Sequence, residues 1–130
     1  MKYLVDSDYV VDYLKGKEAA TALLSSLEGD GLAISLITYG EIYEGIYFGT
    51  NQHKHEQGFL NFLRLVVVLP ISEPVMQQFA HVRGELRRTG KLIGDFDILI
   101  AATAMQHNLT LLTRNLKDFQ RISDLNIYQP

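Results

Sequence analysis

Residues 93–113 read IGDFDILIAATAMQHNLTLLT and contain the two kinds of segment that decide the fold. The apolar stretch from 95 to 108 is long enough for a buried helix, and LTLLT (109–113) is typical of a buried strand. Helical segments separate this strand from three more apolar runs, at residues 2–5, 32–35 and 66–70. Strands that are apolar on both faces and alternate with helices predict an α/β fold, with a mostly parallel sheet covered on two sides.

The same periodicity predicts the remaining helices and the number of strands. A weak run, NIYQ (126–129), predicts a fifth strand, so we expect a central sheet of about five strands. Ser72 precedes Glu73 and Pro74, which are residue types that begin a helix. The length of the chain predicts a single domain over residues 1–130. The predicted helices lie within residues 7–16, 18–29, 36–49, 51–65, 72–90, 95–108 and 115–122.

The composition excludes several classes of protein. The chain has no Cys, so it has neither a disulfide framework nor a thiolate metal site. Three acids fall within the first 14 residues and LVVVLPI is too short to cross a bilayer, so we expect a soluble cytoplasmic protein. A net charge of −3 argues against binding nucleic acid by bulk electrostatics alone. Local basic segments can guide phosphates or form ordinary solvated helix faces; they contain Arg87, Arg88, Lys91 and Arg114.

Acidic residues stand where the predicted strands end. Asp6 follows the first strand, Glu41 lies one or two turns into the helix after the second, and Asp97 begins the helix before the fourth. Asn115 and Asp118 follow the end of the fourth strand. Parallel sheets place their sites at the carboxyl ends of their strands, so we expect these side chains to gather at one edge of the sheet.

Such a gathering of carboxylates has two interpretations. Acids in the first turn of a helix can simply cap free N–H groups, but this does not explain Glu41, well inside an apolar and aromatic helix. Clustered carboxylates repel one another, and they normally bind hard divalent cations such as Mg²⁺ or Mn²⁺. The implied chemistry is metal-assisted hydrolysis of a phosphodiester, in which one or two cations activate water and neutralise the leaving oxygen.

Four blocks of the sequence resemble, in order and spacing, the signature blocks of PIN-domain ribonucleases of the VapC toxin type. They are LVDSDYVVDYL, ISLITYGEIYEGI, IGDFDILIAATA and LLTRNLKDF, and they span nearly the whole chain. The resemblance implies a three-layer α/β/α fold and a Mg²⁺- or Mn²⁺-dependent endoribonuclease site. It assigns the family's three most regular acids to Asp6, Glu41 and Asp97. It also implies a homodimer and a cognate antitoxin protein as a partner.

The fourth acidic position of that family carries Asn115 in this chain, which removes one negative charge from the site. The nearby acids Asp95 and Asp118 are candidates to replace it. Asp95 corresponds to a position that is often acidic in the family, so the resemblance implies a second metal ligand or an outer acid there. Whether the site holds one cation or two depends on these residues.

Three polar residues near the acids allow alternative roles. Ser7 is expected to cap the first helix, with the positioning of water as the alternative. Thr113 can bind a phosphate or a metal-bound water, or merely begin a turn. Asp12 is expected to be a solvated surface residue.

A stripe of mostly aromatic residues at helical spacing suits the core or an association face. It consists of Tyr39, Tyr43, Ile46 and Tyr47.

Two other functions stay open at this point. LVDSD also resembles the D-x-D motif of haloacid-dehalogenase-like phosphatases, in which Asp6 would be the nucleophile. Val10 stands where that motif has a Thr, and the chain has no convincing counterpart of its downstream Lys. If the acids are only helix caps, the chain is instead a non-catalytic binding module.

Overall fold

The computed structural model describes every residue from 1 to 130. Its strands are β1 (Tyr3–Val5), β2 (Leu32–Ser35), β3 (Val66–Leu69) and β4 (Thr110–Leu112). Its helices are α1 (Ser7–Leu14), α2 (Glu18–Leu27), α3 (Leu36–Phe48), α4 (Gln52–Leu63), α5 (Glu73–Arg88), α6 (Asp95–Gln106) and α7 (Leu116–Phe119). A short 3₁₀ helix, Glu28–Asp30, follows α2. One or more helices separate each pair of successive strands, as the sequence predicts.

The four strands form one parallel sheet in the order β3-β2-β1-β4. β1 lies between two neighbours, since Leu4 pairs with Ala33 of β2 and with Leu111 of β4. The fifth strand expected at 126–129 is reduced to a single bridge between Ile127 and Leu111. Because β4 has three residues, it offers this last segment a short partner.

Helices cover both faces of the sheet, which confirms the predicted three-layer α/β/α arrangement. Along β1, Leu4 belongs to one core, whereas Tyr3 and Val5 belong to the other, as the alternation of side chains along a strand requires. Residues of α5 and α6 fill the first core, and residues of α1, α2, α3 and α4 fill the second.

The composition of α6 follows from its central position. Ile98 and all residues from 100 to 104 are buried, so the middle of this helix is covered on nearly all sides. Its neighbour α5 is amphipathic and begins as predicted, with the hydroxyl of Ser72 accepting a hydrogen bond from the N–H of Val75 at 3.3 Å. None of the helices combines the length and the apolar character that crossing a membrane requires.

Candidate active site

Asp6 follows β1 directly, at the carboxyl edge of the sheet. It is 6% exposed, and both of its carboxylate oxygens accept hydrogen bonds. Oδ1 accepts from the backbone N–H of Ser7 at 2.8 Å, and Oδ2 accepts from the hydroxyl of Thr113 at 2.7 Å. Asp6 therefore caps α1, and the expectation that Ser7 is the cap is wrong. The extended backbone of Asp6 suits an N-cap, whereas Ser7 is already the first residue of the helix.

The hydroxyl of Ser7 instead connects α1 to α3. It donates to Oε1 of Glu41 at 2.6 Å and lies 3.1 Å from Oγ1 of Thr38. Because Ser7 has one proton and gives it to Glu41, the Thr38 hydroxyl donates to Ser7. Thr38 is fully buried, and it was not among the residues predicted from the sequence. The sequence feature that could have indicated Thr38 is its position three residues before Glu41, as a polar residue on the covered side of an apolar helix.

A third set of contacts joins α6 to the chain around α7. The side-chain amide of Asn115 donates to Oδ2 of Asp97 at 3.4 Å and to Oδ2 of Asp118 at 3.2 Å. The backbone N–H of Asn115 donates to the Thr113 hydroxyl at 3.0 Å, which fixes the start of this segment. The structure thus brings together four residues that were predicted separately from the sequence.

Asp8 is an additional acid of the site that was not predicted from the sequence. Its Oδ2 accepts from the backbone N–H of Arg114 at 2.9 Å, while its Oδ1 is buried and has no hydrogen-bond partner. The one available signal was its position two residues after Asp6, in the DSD that follows the first strand.

The pKa values show that the acids act on one another. The pKa of Asp6 is raised to about 7, chiefly by burial and also by the charges of Asp8 and Asp97, while its hydrogen bonds from Thr113 and Ser7 act in the opposite direction. Burial also raises the pKa of Asp97, followed by the charges of Glu41 and Asp118. We call this electrostatically interacting group the acidic cluster: Asp6, Asp8, Glu41, Asp97 and Asp118.

No Lys or Arg side chain forms an ion pair with the acidic cluster. The ion pairs of the structure involve other acids: Lys17 and Arg114 with Asp12, Arg83 with Asp95, and Arg88 with Glu85. Carboxylate oxygens are the ligands that Mg²⁺ and Mn²⁺ prefer, and the unpartnered Oδ1 of Asp8 adds a buried oxygen of that kind. The oxygen ligands that the acidic cluster offers are therefore of the chemical type that binds a divalent cation.

The carboxylates are not, however, gathered into a finished coordination shell. No three acidic or histidine side chains converge closely enough to hold an ion as they stand. Their oxygens instead accept hydrogen bonds from Ser7, Thr113 and Asn115. To bind a cation, the carboxylates therefore have to move closer together than they are in this structure.

Asp95 lies outside the acidic cluster, although it was predicted from the sequence as a metal ligand. Its side chain is 59% exposed, and its Oδ1 accepts from Nε of Arg83 at 2.8 Å. Two residues along an α-helix correspond to a rotation of about 200°, so Asp95 and Asp97 leave α6 on opposite sides. In this structure Asp95 does not face the other acids, and its role as a second metal ligand or an outer acid stays a prediction.

Asp12 is also placed differently from the expectation of a solvated residue, since it is 7% exposed. Nζ of Lys17 lies 3.5 Å from its Oδ1, and the guanidinium of Arg114 lies 3.1 Å from its Oδ2. Two cations offset the cost of removing this carboxylate from water. The pairing was not visible in the sequence because Arg114 is distant along the chain.

The four basic residues predicted as a phosphate-guiding rim differ in their surroundings. Arg114 and Arg88 are engaged by acids of this chain, and Arg87 and Lys91 are exposed. Lys91 lines a groove of about 470 Å³ between α5 and residues 121–124, and no member of the acidic cluster lines this groove. Only Arg114 is in direct contact with the acidic cluster, through its backbone N–H.

The aromatic stripe on α3 divides between the core and the surface. Ile46 is buried, and the Tyr39 ring packs against Tyr43 with 5.1 Å between the ring centroids. Tyr47 is 63% exposed and the neighbouring Phe48 is 92% exposed. The stripe therefore contributes to the core at Ile46, while its use as an association face stays a prediction for the exposed end of α3.

The fold and the site together define a class of protein: a parallel α/β domain with a carboxylate cluster at the carboxyl ends of its strands. A model of the PIN domain matches residues 3–125, and the chain belongs to the PIN-domain family. This match confirms the resemblance that the four sequence blocks indicated.

Individual relatives agree with the family match. The chain is 35% identical to Ribonuclease VapC1 of Methanocaldococcus jannaschii, over 97% of this chain and 85% of that protein. It is 33% identical to Toxin FitB of Neisseria gonorrhoeae, over 98% of this chain and 96% of that protein. Its structure is similar to VapBC2 from Rickettsia felis bound to a DNA fragment from their promoter, with a TM-score of 0.93, 28% identity and 98% of both chains covered. These relatives favour a nuclease over the phosphatase alternative.

Proposed function

We propose that this protein is a VapC-type endoribonuclease toxin that hydrolyses RNA phosphodiester bonds with Mg²⁺ or Mn²⁺, and that residues 1–130 act as one PIN domain. The observation that carries the proposal is the acidic cluster, which has no Lys or Arg partner. Carboxylates that are partly removed from water and unpaired destabilise a protein, and a divalent cation removes that cost. The names of the relatives, Ribonuclease VapC1 and Toxin FitB, support the same function.

The proposed roles of the acids follow from their positions. Asp6 and Asp97 hold the cation, and Glu41 contributes from the neighbouring helix α3. Asp118 supplies the negative charge that Asn115 lacks, because its carboxylate raises the pKa of Asp97 and shares the Asn115 amide with it. When bound, the cation lowers the pKa of the attacking water and neutralises charge on the leaving oxygen.

Three uncharged side chains orient these acids. Thr113 holds one oxygen of Asp6, and Asn115 holds Asp97 next to the acid of α7. Ser7 holds Oε1 of Glu41, so the second oxygen of that carboxylate is free to accept a hydrogen bond from water. Ser7 and Thr113 therefore act by fixing carboxylates in place, and Asp95 stabilises the start of α6 through Arg83.

We further propose a cognate antitoxin protein as a partner, a homodimeric assembly and a cytoplasmic location. The exposed aromatic surface at the end of α3, formed by Tyr47 and Phe48, supports association, because soluble chains rarely expose large adjacent apolar side chains without a partner. The similar structure from Rickettsia felis is VapBC2 bound to DNA, which supports the antitoxin proposal.

The test is cleavage of total RNA by the purified protein in Mg²⁺, Mn²⁺ or EDTA, with sequencing of the product ends. We expect cleavage with either metal, none in EDTA, and 5′-phosphate ends, because no His or Lys accompanies the acidic cluster to support metal-free attack. The Asp97→Ala variant, prepared in parallel, controls for contaminating nucleases. Full activity in EDTA, or 2′,3′-cyclic phosphate ends, would contradict the proposal.

A further inference from the structure

The loop that follows β4 is attached to α1 at three successive points. We call residues 113–115 the site loop, because it leads directly from β4 to α7 and Asp118. The three contacts join Asp6 to the Thr113 hydroxyl, Asp8 to the backbone N–H of Arg114, and Asp12 to the Arg114 guanidinium. Two of these carboxylates belong to the acidic cluster, and the third does not.

The contact outside the cluster is a side-chain ion pair next to an aromatic ring. Arg114 lies 3.1 Å from Oδ2 of Asp12, whose side chain is 10% exposed, and its guanidinium carbon lies 6.0 Å from the centre of the Tyr9 ring. Lys17 approaches the other oxygen of Asp12 at 3.5 Å. The Arg114 side chain is 53% exposed, but the buried carboxylate and the aromatic ring beside its guanidinium restrict how that group can reorient.

The position of Arg114 transmits this constraint to the acids. The next residue, Asn115, donates its side-chain amide to both Asp97 and Asp118. If the site loop shifts, the amide shifts with it, and the two carboxylates lose their common donor. Asp12 itself touches none of the groups proposed to hold the cation.

We propose that Asp12 is a positioning residue, which acts through its ion pair with Arg114 to hold the site loop so that Asn115 and Asp118 face Asp97. This inference rests on the proposed metal-dependent nuclease function and deepens it. It also assigns the half-exposed Arg114 guanidinium to an ion pair within this chain, rather than to RNA as its positive charge suggested.

The inference is testable because simple charge repulsion and a positioning role predict opposite effects of removing the Arg114 guanidinium on cation binding. Removing a positive charge near an acidic cluster should tighten the binding of a divalent cation. Removing a group that positions the carboxylates should weaken that binding, by roughly 10- to 100-fold for residues that orient metal ligands. The sign of the change in the Arg114→Met variant therefore separates the two effects.

The experiment measures Mn²⁺ binding by calorimetry, without RNA, for the wild type and four variants. Arg114→Met and Asp12→Asn each remove one partner of the ion pair. The double variant removes both partners and therefore loses the same single interaction. Lys17→Met is the matched control. Lys17 pairs with the same carboxylate but belongs to the connection between α1 and α2, away from the site loop. Thermal unfolding of all the proteins in EDTA shows that each is folded.

We expect Arg114→Met and Asp12→Asn to weaken Mn²⁺ binding about tenfold each, and the double variant to be no weaker than either single variant. Lys17→Met should bind as tightly as the wild type or slightly more tightly. Unchanged or tighter binding in Arg114→Met would overturn the inference. So would an equal loss in Lys17→Met, since that would show a general effect of the Asp12 environment.

A second readout does not depend on metal. The backbone N–H of Asn115 is hydrogen-bonded to Thr113, so its exchange with solvent reports the order of the site loop. We expect faster exchange in Arg114→Met than in Lys17→Met, in EDTA; equal rates would overturn the inference. If the wild type neither binds Mn²⁺ nor cleaves RNA, the proposed function fails, while this exchange measurement still decides the role of the ion pair. A raised KM for RNA with unchanged Mn²⁺ binding and unchanged exchange would overturn the inference by showing that Arg114 contacts the substrate.

Discussion

Two pairs of acids, each pair on or beside one helix, have opposite surroundings. On α6, Asp95 is exposed and paired with an arginine at 2.8 Å, whereas Asp97 is half-buried and has no cation. At α1, Asp12 is buried between two cations, whereas Asp6 is buried with a hydroxyl and an N–H as its partners. Two acids on or beside the same helix therefore need not have the same role in this protein.

The difference shows where the protein itself neutralises negative charge and where it does not. Asp12 and Asp95 have their countercharges within the chain, so they stabilise the structure or affect it little. Asp6 and Asp97 both have raised pKa values and lack such a partner. This difference supports the proposal that a divalent cation is the partner of Asp6 and Asp97.

The largest effect should come from the two acids of α6. Asp97→Ala should abolish RNA cleavage, because it removes a proposed ligand, and should leave the metal-free fold at least as stable, because it relieves repulsion in the acidic cluster. Asp95→Ala, the matched control, should retain most of the activity. Cleavage rates in Mn²⁺ and thermal unfolding in EDTA measure both properties. Equal loss of activity in the two variants would contradict the different roles assigned to Asp97 and Asp95.

The pH dependence of the free energy of unfolding should reveal the raised pKa of Asp6, the acid that precedes α1. The folded state keeps the Asp6 proton up to about pH 7, because burial raises its pKa to about 7 from the ordinary value of 3.8. The folded state thus binds more protons between these values, so the free energy of unfolding falls as pH rises and the loss is complete above about pH 7. The size is a few kcal/mol, since one pKa unit corresponds to about 1.4 kcal/mol.

Urea unfolding in EDTA across this pH range is the measurement, with Asp6→Asn as the reference. The variant should lack the part of the pH dependence that Asp6 causes, so the two curves should diverge with the wild type losing more stability. Parallel curves would show that Asp6 is not strained in the metal-free protein. Addition of Mn²⁺ should restore the stability of the wild type at neutral pH, because the cation binds the folded state.

A smaller effect is expected at the position where the family's fourth acid is missing. Asp118→Asn should weaken Mn²⁺ binding about tenfold, because Asp118 is proposed to supply the charge that Asn115 lacks. Asn115→Asp should tighten Mn²⁺ binding and lower the metal-free stability, since it replaces an amide donor with a third carboxylate. Calorimetry of both variants decides the matter. Unchanged binding in Asp118→Asn would leave the site with one carboxylate fewer than proposed.

The positions of the acids along the chain could be predicted, but their directions could not. Asp6, Asp97 and Asp118 were predicted because the carboxyl ends of parallel strands meet, and that rule needs only the order of strands and helices. The partner of Asp12 depends on a contact between distant parts of the chain. The orientation of Asp95 depends on which side of α6 faces the sheet, and α6 is apolar on nearly all sides.

The same limit applies to the fold. Residues 32–35 were predicted as a strand and form β2 over the same residues, because a buried apolar run fixes a strand locally. The segment at 126–129 was also predicted as a strand but forms one bridge, because its pairing depends on the length of the strand beside it. Thr38 was missed because a single buried hydroxyl resembles an ordinary core residue in the sequence.

The smallest effect is expected at Ser7. Ser7→Ala should lower the cleavage rate several-fold, because Glu41 loses the hydroxyl that fixes it, while the cap on α1 stays intact since Asp6 provides it. Ser7→Thr keeps the hydroxyl and should retain nearly full activity. A strong loss of stability in Ser7→Ala, instead of a loss of rate, would return Ser7 to a structural role.

The most direct test of the cation site is a calorimetric titration of the metal-free wild type with Mn²⁺, alongside Asp97→Ala and Asp95→Ala, at neutral pH and without RNA. If the acids without a countercharge form a cation site, the wild type and Asp95→Ala bind Mn²⁺ with similar affinity and Asp97→Ala does not. No binding to the wild type, or loss of binding in Asp95→Ala equal to that in Asp97→Ala, would contradict the proposed site.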